Sequence, residues 1–248
     1  MHDKRKTILL VAVLTAGAAV ACPEQEPQWQ ELRDEMVRRT IAEPTDGRPP
    51  VRNARVLAAM RGTARHEFVP AERRSQAYED HPLPIGYGQT ISQPYIVAKM
   101  TELAAPKPEH RVLEVGTGSG YQAAVLSPLV KEVYTIEIVP PLGEAARERL
   151  ARLGYKNVEV RVGDGYNGWP EKAPFDSIVV TAGATHVPPA LVEQLKPGGR
   201  MVIPLGESQY DQNLVVVHKG KGPRDVRIET IMPVIFVPLT GGPEKRSR

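Results

Sequence analysis

Beginning at residue 111, short aliphatic runs alternate with amphipathic stretches, and this alternation constrains the fold more tightly than any other feature of the chain. Strands are expected over 111–115, 132–136, 158–162, 177–181 and 200–204, and helices over 121–129, 142–153 and 189–195. Strands that are apolar along their whole length must be covered on both faces, so the sheet is mainly parallel and doubly wound. Two later runs, 214–218 and 227–233, are separated by the turn-rich 219–223 with no helix of similar length between them. They read as an antiparallel hairpin at one edge of an α/β sheet of about seven strands. A chain of 248 residues has room for one such domain and a short appendage.

Before this region the pattern is helical. Trp29, Leu32, Met36 and Val37 fall near one face of a helix over 29–42, with Ile41 following, and 44–50 breaks it. Val51, Ala54, Val56, Leu57 and Met60 mark a second helix over 51–61, and 80–90 reads as a loop. The first 22 residues differ from the rest. Lys4, Arg5 and Lys6 precede an uncharged run of 14 residues, 7–20, which is too short to span a membrane and reads as a secretory signal. It ends either in cleavage after Ala21 or in lipid attachment at Cys22; a buried helix or a mis-assigned start are the plainer alternatives. The expected division is 1–22 signal-type segment, 23–80 linker and N-terminal helices, 81–242 main domain with a loop at 81–94, and 243–248 polar tail.

Composition mostly excludes. A net charge of +3 with cations scattered among acids offers no nucleic-acid surface. Cys22 is the single cysteine, so an intrachain disulfide and a cysteine-based metal site are ruled out, and the six histidines show no ligand spacing.

The chemistry concentrates after the first strand. In VLEVGTGSGYQAA, residues 112–124, Gly116, Gly118 and Gly120 allow a sharp turn and close approach of a ligand before a helix N-terminus. The spacing is G-x-G-x-G, unlike the G-x-G-x-x-G of a dinucleotide site. Glu137 ends the next strand 21 positions after Gly116, where an acid can bond ribose hydroxyls. Asp164, before Gly165, ends the third strand, where it can reach an adenine amino group or serve as an ordinary turn acid. Glu114 lies inside the first strand, a costly place for a charge unless the strand faces solvent at an edge. Acids at successive strand ends beside a glycine loop indicate a ligand crevice in a Rossmann-like sheet.

These elements, with FDSIVVTAG at 175–183 and LKPGGRMVIPLG at 195–206, resemble the successive motifs of class I methyltransferases. The resemblance implies S-adenosylmethionine in the crevice, the glycine loop near its amino-acid end, Glu137 at the ribose, and Asp164 with Gly165 at the adenine. The segment HPLPIGYGQTISQPYIVAKM, 81–100, is similar to the signature of protein-L-isoaspartate O-methyltransferases, as are HEFVP at 66–70 and FVPLTGG at 236–242. By that resemblance Ser92 is the active-site serine, Thr90, Ile91, Gln93 and Pro94 surround cofactor and substrate, and Thr240 is a cofactor-side contact. Read alone, Ser92 before Gln93-Pro94 is a helix N-cap. The implied acceptor is the free α-carboxylate of isoaspartyl and D-aspartyl residues in proteins and peptides. A carboxylate is already ionised at neutral pH, so neither a general base nor a metal is required.

Rival readings are a methyltransferase with another acceptor, a nicotinamide-dependent oxidoreductase, and a non-catalytic exported binding protein. The family and cofactor supply imply the cytoplasm, whereas residues 4–22 imply export. A monomer is expected, with no nucleic-acid partner and membrane contact only through a lipidated Cys22.

Overall fold

The computed structural model describes residues 26–222 and 225–242. The signal-type segment 1–22 with Cys22, and the polar tail 243–248, lie outside the described residues. The N-terminal elements are α1 (Glu26–Met36), continued by a π-helical turn to Ala42, and α2 (Ala54–Gly62). Two short strands, β1 (Leu83–Gly86) and β2 (Gln89–Ile91), precede α3 (Pro94–Ala104). The alternating region follows as β3 (Arg111–Val115), α4 (Tyr121–Leu126), β4 (Glu132–Glu137), α5 (Pro140–Arg152), β5 (Val158–Val162) and β6 (Phe175–Val180). It closes with α6 (Pro189–Gln194), β7 (Leu195–Leu205), β8 (Gln212–Lys219) and β9 (Val226–Val234).

The seven-stranded sheet has the order β5-β4-β3-β6-β7-β8-β9, parallel from β5 through β7 and antiparallel across β7-β8-β9. The chain leaves β3 toward β4 on one side and returns to β6 on the other. The switch point, where such sheets open a crevice, is therefore the C-terminal end of β3. Leu113, Val133, Ile136, Ile178 and Val179 are fully or almost fully buried, as strands covered on both faces require.

Several expectations change in detail. The helix expected over 51–61 starts at Ala54, because the Asn53 side chain accepts the Arg55 and Val56 N–H groups at 3.0 and 3.3 Å. The helix expected over 121–129 stops at Leu126, and a 3-10 turn carries Ser127–Leu129. The strand expected over 200–204 begins at Leu195, ahead of its glycines. The expected loop 80–90 holds a β-hairpin instead: Leu83 pairs with Ile91 and Pro84 with Thr90. Its tip, Gly86-Tyr87-Gly88, lies at positive φ throughout, and Tyr87 is 65% exposed. Turn-forming composition hid two strands too short to show a period.

The N-terminal helices share one core with the sheet. Met36, Val37, Val56, Met60 and Phe68 join Tyr95, Tyr121 and Val133 in a continuous apolar cluster. The HEFVP segment is packing rather than site: Phe68 meets Tyr121 edge-on at 5.5 Å and His66 stacks on Trp29 at 4.6 Å. Arg65 beside it is fully buried over the Tyr121 ring, and burial holds its pKa down at about 10.

Asp80 fixes the start of α3. The cap position is Gln93, which makes no side-chain cap bond, so Ser92 is not the N-cap. Asp80 Oδ1 accepts the Tyr95 N–H at 3.1 Å, and its Oδ2 accepts Gln93 Nε2 at 2.9 Å and Arg48 Nη2 at 2.6 Å. One carboxylate thus caps the helix from 15 residues away and frees the Ser92 hydroxyl for another use. Asp80→Ala is expected to lower stability by about 1–3 kcal/mol, read from urea midpoints. An unchanged midpoint would remove Asp80 as the cap.

Candidate active site

The site assembles at the C-terminal ends of the central strands. β3 delivers Glu114, which lies in register between Thr135 of β4 and Val179 of β6. It is fully buried on an interior strand, which corrects the reading of a solvent-facing edge carboxylate. Neither of its oxygens has a hydrogen-bond partner. Burial pushes its pKa up to about 8, the Thr135 hydroxyl opposing and the Glu137 charge adding to the rise.

The glycine loop turns directly off this strand. Gly116 sits at φ +97, and a Cβ there would lie 2.5 Å from Thr181 Oγ1. Only glycine accepts both the backbone and the neighbour. The Gly116 N–H donates to the Ile136 carbonyl at 2.8 Å, and Thr181 Oγ1 donates to the Gly116 carbonyl at 2.7 Å. At the end of β4, Glu137 accepts the Gly118 N–H at 2.7 Å and the Val139 N–H at 2.9 Å. The acid therefore orients the loop as well as facing the crevice. Gly165, after β5, lies so close to β3 that a Cβ would reach within 2.3 Å of Val115 Cγ1.

Glu114, Gly116, Gly118, Glu137 and Gly165 line one crevice with Thr181. Thr90, Ile91 and Ser92 close it from the hairpin side, and Thr240 with Val237–Leu239 from the C-terminal side. Four expected site residues stand elsewhere. Gly120 begins α4 and packs against Leu150 of α5. Pro94 is buried as the first residue of α3, and Gln93 lines the neighbouring groove. Asp164 does not line the crevice: its Oδ1 accepts the Tyr166 N–H at 2.9 Å and its Oδ2 the Gly242 N–H at 2.8 Å. It ties down the C-terminal segment that carries Thr240.

That segment has further ties the sequence did not signal. Gly183 N–H donates to the Val237 carbonyl at 2.8 Å and Leu239 N–H to the Gly183 carbonyl at 2.7 Å. The buried Gln212 accepts the Phe236 N–H at 2.7 Å. FVPLTGG is thereby laid across the strand ends as one wall of the crevice. A second, wider groove of about 660 Å³ adjoins, and Thr90, Ser92, Thr181 and Val237 line both. Sequence reasoning also missed Asp46, Arg48 and Thr181; the first two fall in a proline-rich break with no motif to mark them.

Among the described residues, the crevice lining holds two carboxylates and no basic side chain. Such a lining suits a cationic ligand with hydroxyls and disfavours the pyrophosphate of a nicotinamide cofactor. Fold and crevice together are those of class I S-adenosylmethionine-dependent methyltransferases.

Comparison with known proteins narrows the class. The model of the protein-L-isoaspartate(D-aspartate) O-methyltransferase family matches residues 43–244, and the chain belongs to that family. Protein-L-isoaspartate O-methyltransferase 2 of Polaromonas sp. is 59% identical over 199 residues, covering 79% of this chain and 93% of that protein. A solved protein-L-isoaspartate O-methyltransferase superposes with a TM-score of 0.70 at 32% identity, covering 77% of this chain and 62% of the other. A beta-aspartate methyltransferase from Plasmodium falciparum in complex with S-adenosyl-L-homocysteine gives a TM-score of 0.68 at 25% identity over 85% of this chain and 97% of the other.

Glu114 makes the ligand-free protein pH-sensitive. A carboxyl raised from 4.5 to about 8 contributes stability that is fully present below its unfolded pKa and lost as pH rises through its folded one. Glu114→Gln removes the titration. The variant is expected to gain stability relative to the parent as pH rises from about 5 to about 9, read from urea midpoints. Parallel curves would rule this out.

Proposed function

We propose that the enzyme transfers a methyl group from S-adenosylmethionine to the free α-carboxylate of L-isoaspartyl residues, and to the side-chain carboxylate of D-aspartyl residues, in damaged proteins and peptides, the first step of their repair. The observation that carries this reading is Ser92, on the wall common to the crevice and the groove. A donor held in one and a peptide laid in the other would meet at its hydroxyl.

The crevice residues fit the donor. Two unpartnered oxygens on Glu114 and a lining free of cations suit a molecule bearing an ammonium and a sulfonium. Bound there, S-adenosylmethionine supplies an electrophilic methyl group. Glu137 accepts one backbone N–H on each oxygen and keeps lone pairs for ribose hydroxyls. Gly165 and Thr240 border the adenine end, with Asp164 holding Thr240's segment in place.

On the groove side, Ser92 donates a hydrogen bond to one acceptor oxygen and aims the other at the methyl carbon. The carboxylate, with an ordinary pKa near 4, arrives ionised, so it needs holding rather than deprotonation. An O–CH3 bond forms as the S–CH3 bond breaks. Cation and anion are neutralised together, a change favoured where water is scarce. The resulting ester is attacked by the backbone nitrogen of the following residue, methanol leaves, and hydrolysis of the succinimide returns part of the chain to normal aspartate.

Labelled methyl incorporation into an isoaspartyl peptide, but not into its aspartyl twin, is the expected result; equal or absent labelling overturns the reading. Ser92→Ala is expected to lower turnover roughly 5- to 150-fold, the effect of losing a hydrogen bond of ~1–3 kcal/mol, while S-adenosylhomocysteine affinity measured by calorimetry stays within about twofold. Export, inferred from residues 4–22, is a separate proposal, checked by mass spectrometry of the mature N-terminus.

A further inference from the structure

We propose that Arg48 recognises the acceptor carboxylate in the groove, and that Asp46 occupies Arg48 until the acceptor displaces it. This rests on the acceptor assignment above. Among the described residues, Arg48 is the one cationic side chain lining the groove that also carries Ser92. The acceptor carboxylate gives up water to enter the groove, where Ser92 offers it a single neutral hydroxyl. A guanidinium in the same groove supplies the missing charge and a fork suited to carboxylates.

Arg48 is held ready for that task. Its guanidinium lies 4.2 Å over the Tyr95 ring, and the Tyr95 hydroxyl donates to the Pro49 carbonyl at 2.9 Å, anchoring the neighbouring backbone. Its Nη2 meets both Asp80 and Asp46 at 2.6 Å, while Nε and Nη1 have no hydrogen-bond partner. The two carboxylates are unequal. Asp80 has a side chain only 13% exposed and is committed to Gln93 and the Tyr95 N–H. Asp46 has a side chain 51% exposed, lines the groove, and is otherwise tied only by the Arg48 backbone N–H at 3.2 Å. Asp80 is the fixed support; Asp46 is the exchangeable carboxylate, an internal stand-in for the substrate's.

The test compares an isoaspartyl peptide with its α-carboxamide analogue, an unreactive competitor that lacks the charge and carries an NH2 group in place of one oxygen. Arg48→Gln is expected to raise KM for the isoaspartyl peptide about 10-fold or more, while Ki for the carboxamide and affinity for S-adenosylhomocysteine stay within about twofold. Asp46→Asn is expected to lower KM for the isoaspartyl peptide severalfold. Equal rises in KM and Ki would assign Arg48 a purely structural role and overturn the proposal, as would an unchanged KM. Should Arg48→Gln fail to fold, Asp46→Asn decides alone: a KM that stays level or rises overturns it. If the parent enzyme fails to label the isoaspartyl peptide, the acceptor assignment has failed rather than the role of Arg48.

Discussion

Strand β3 is paired along both edges, with β4 and with β6, and is apolar-packed on both faces. The polar groups at its C-terminal end are answered by the loops and strand ends around it. The glycine loop is one: its amides turn onto the Ile136 carbonyl and the Glu137 carboxylate. Glu114 is the unanswered remainder. A buried charge without a partner costs several kcal/mol, and the side chain avoids that cost by favouring its neutral form when no cation is present. The demand left at the end of β3 is thus for a cation, which the methyl donor of this family carries.

Two segments remote in sequence complete what the strand ends begin. From the C-terminal side, 236–242 is fastened to Gly183, Gln212 and Asp164 and becomes one wall. From the N-terminal side, Asp80 gathers Arg48, Gln93 and the start of α3, which sets Ser92 between crevice and groove. The same carboxylate therefore stabilises a helix, supports a groove-lining guanidinium and releases Ser92 from capping. The roles are separable in energy but not in geometry.

Much of this was legible in the chain. The βα alternation after residue 111 predicted the parallel order, because a strand buried on both faces must be apolar throughout, and the lack of a helix in 219–223 predicted the antiparallel end. Gly116, Gly118 and Glu137 announced the crevice through a spacing that few other structures need. Less was legible where function depends on partners far away. Asp164 holds Tyr166 and Gly242, the latter 78 residues on, a tie that no local pattern marks. Ser92 looked like a cap because Pro94 follows it, yet the cap bond comes from Asp80. Arg48 sits in a proline-rich break that carries no period and no motif.

The sequence by itself determined the sheet, its crevice at the switch point, and the family to which the resemblance pointed, because hydrophobic period and glycine spacing are local properties that act along the chain. Only the tertiary structure decided which polar groups are spent on structure and which remain for chemistry. Asp80 and Gln212 are engaged by backbone N–H groups that folding brings to them. Glu114 is left without a partner, and Ser92 is left on the wall between crevice and groove. A side chain's hydrogen-bonding capacity is written in its residue type; whether that capacity is already used depends on neighbours the linear chain does not name.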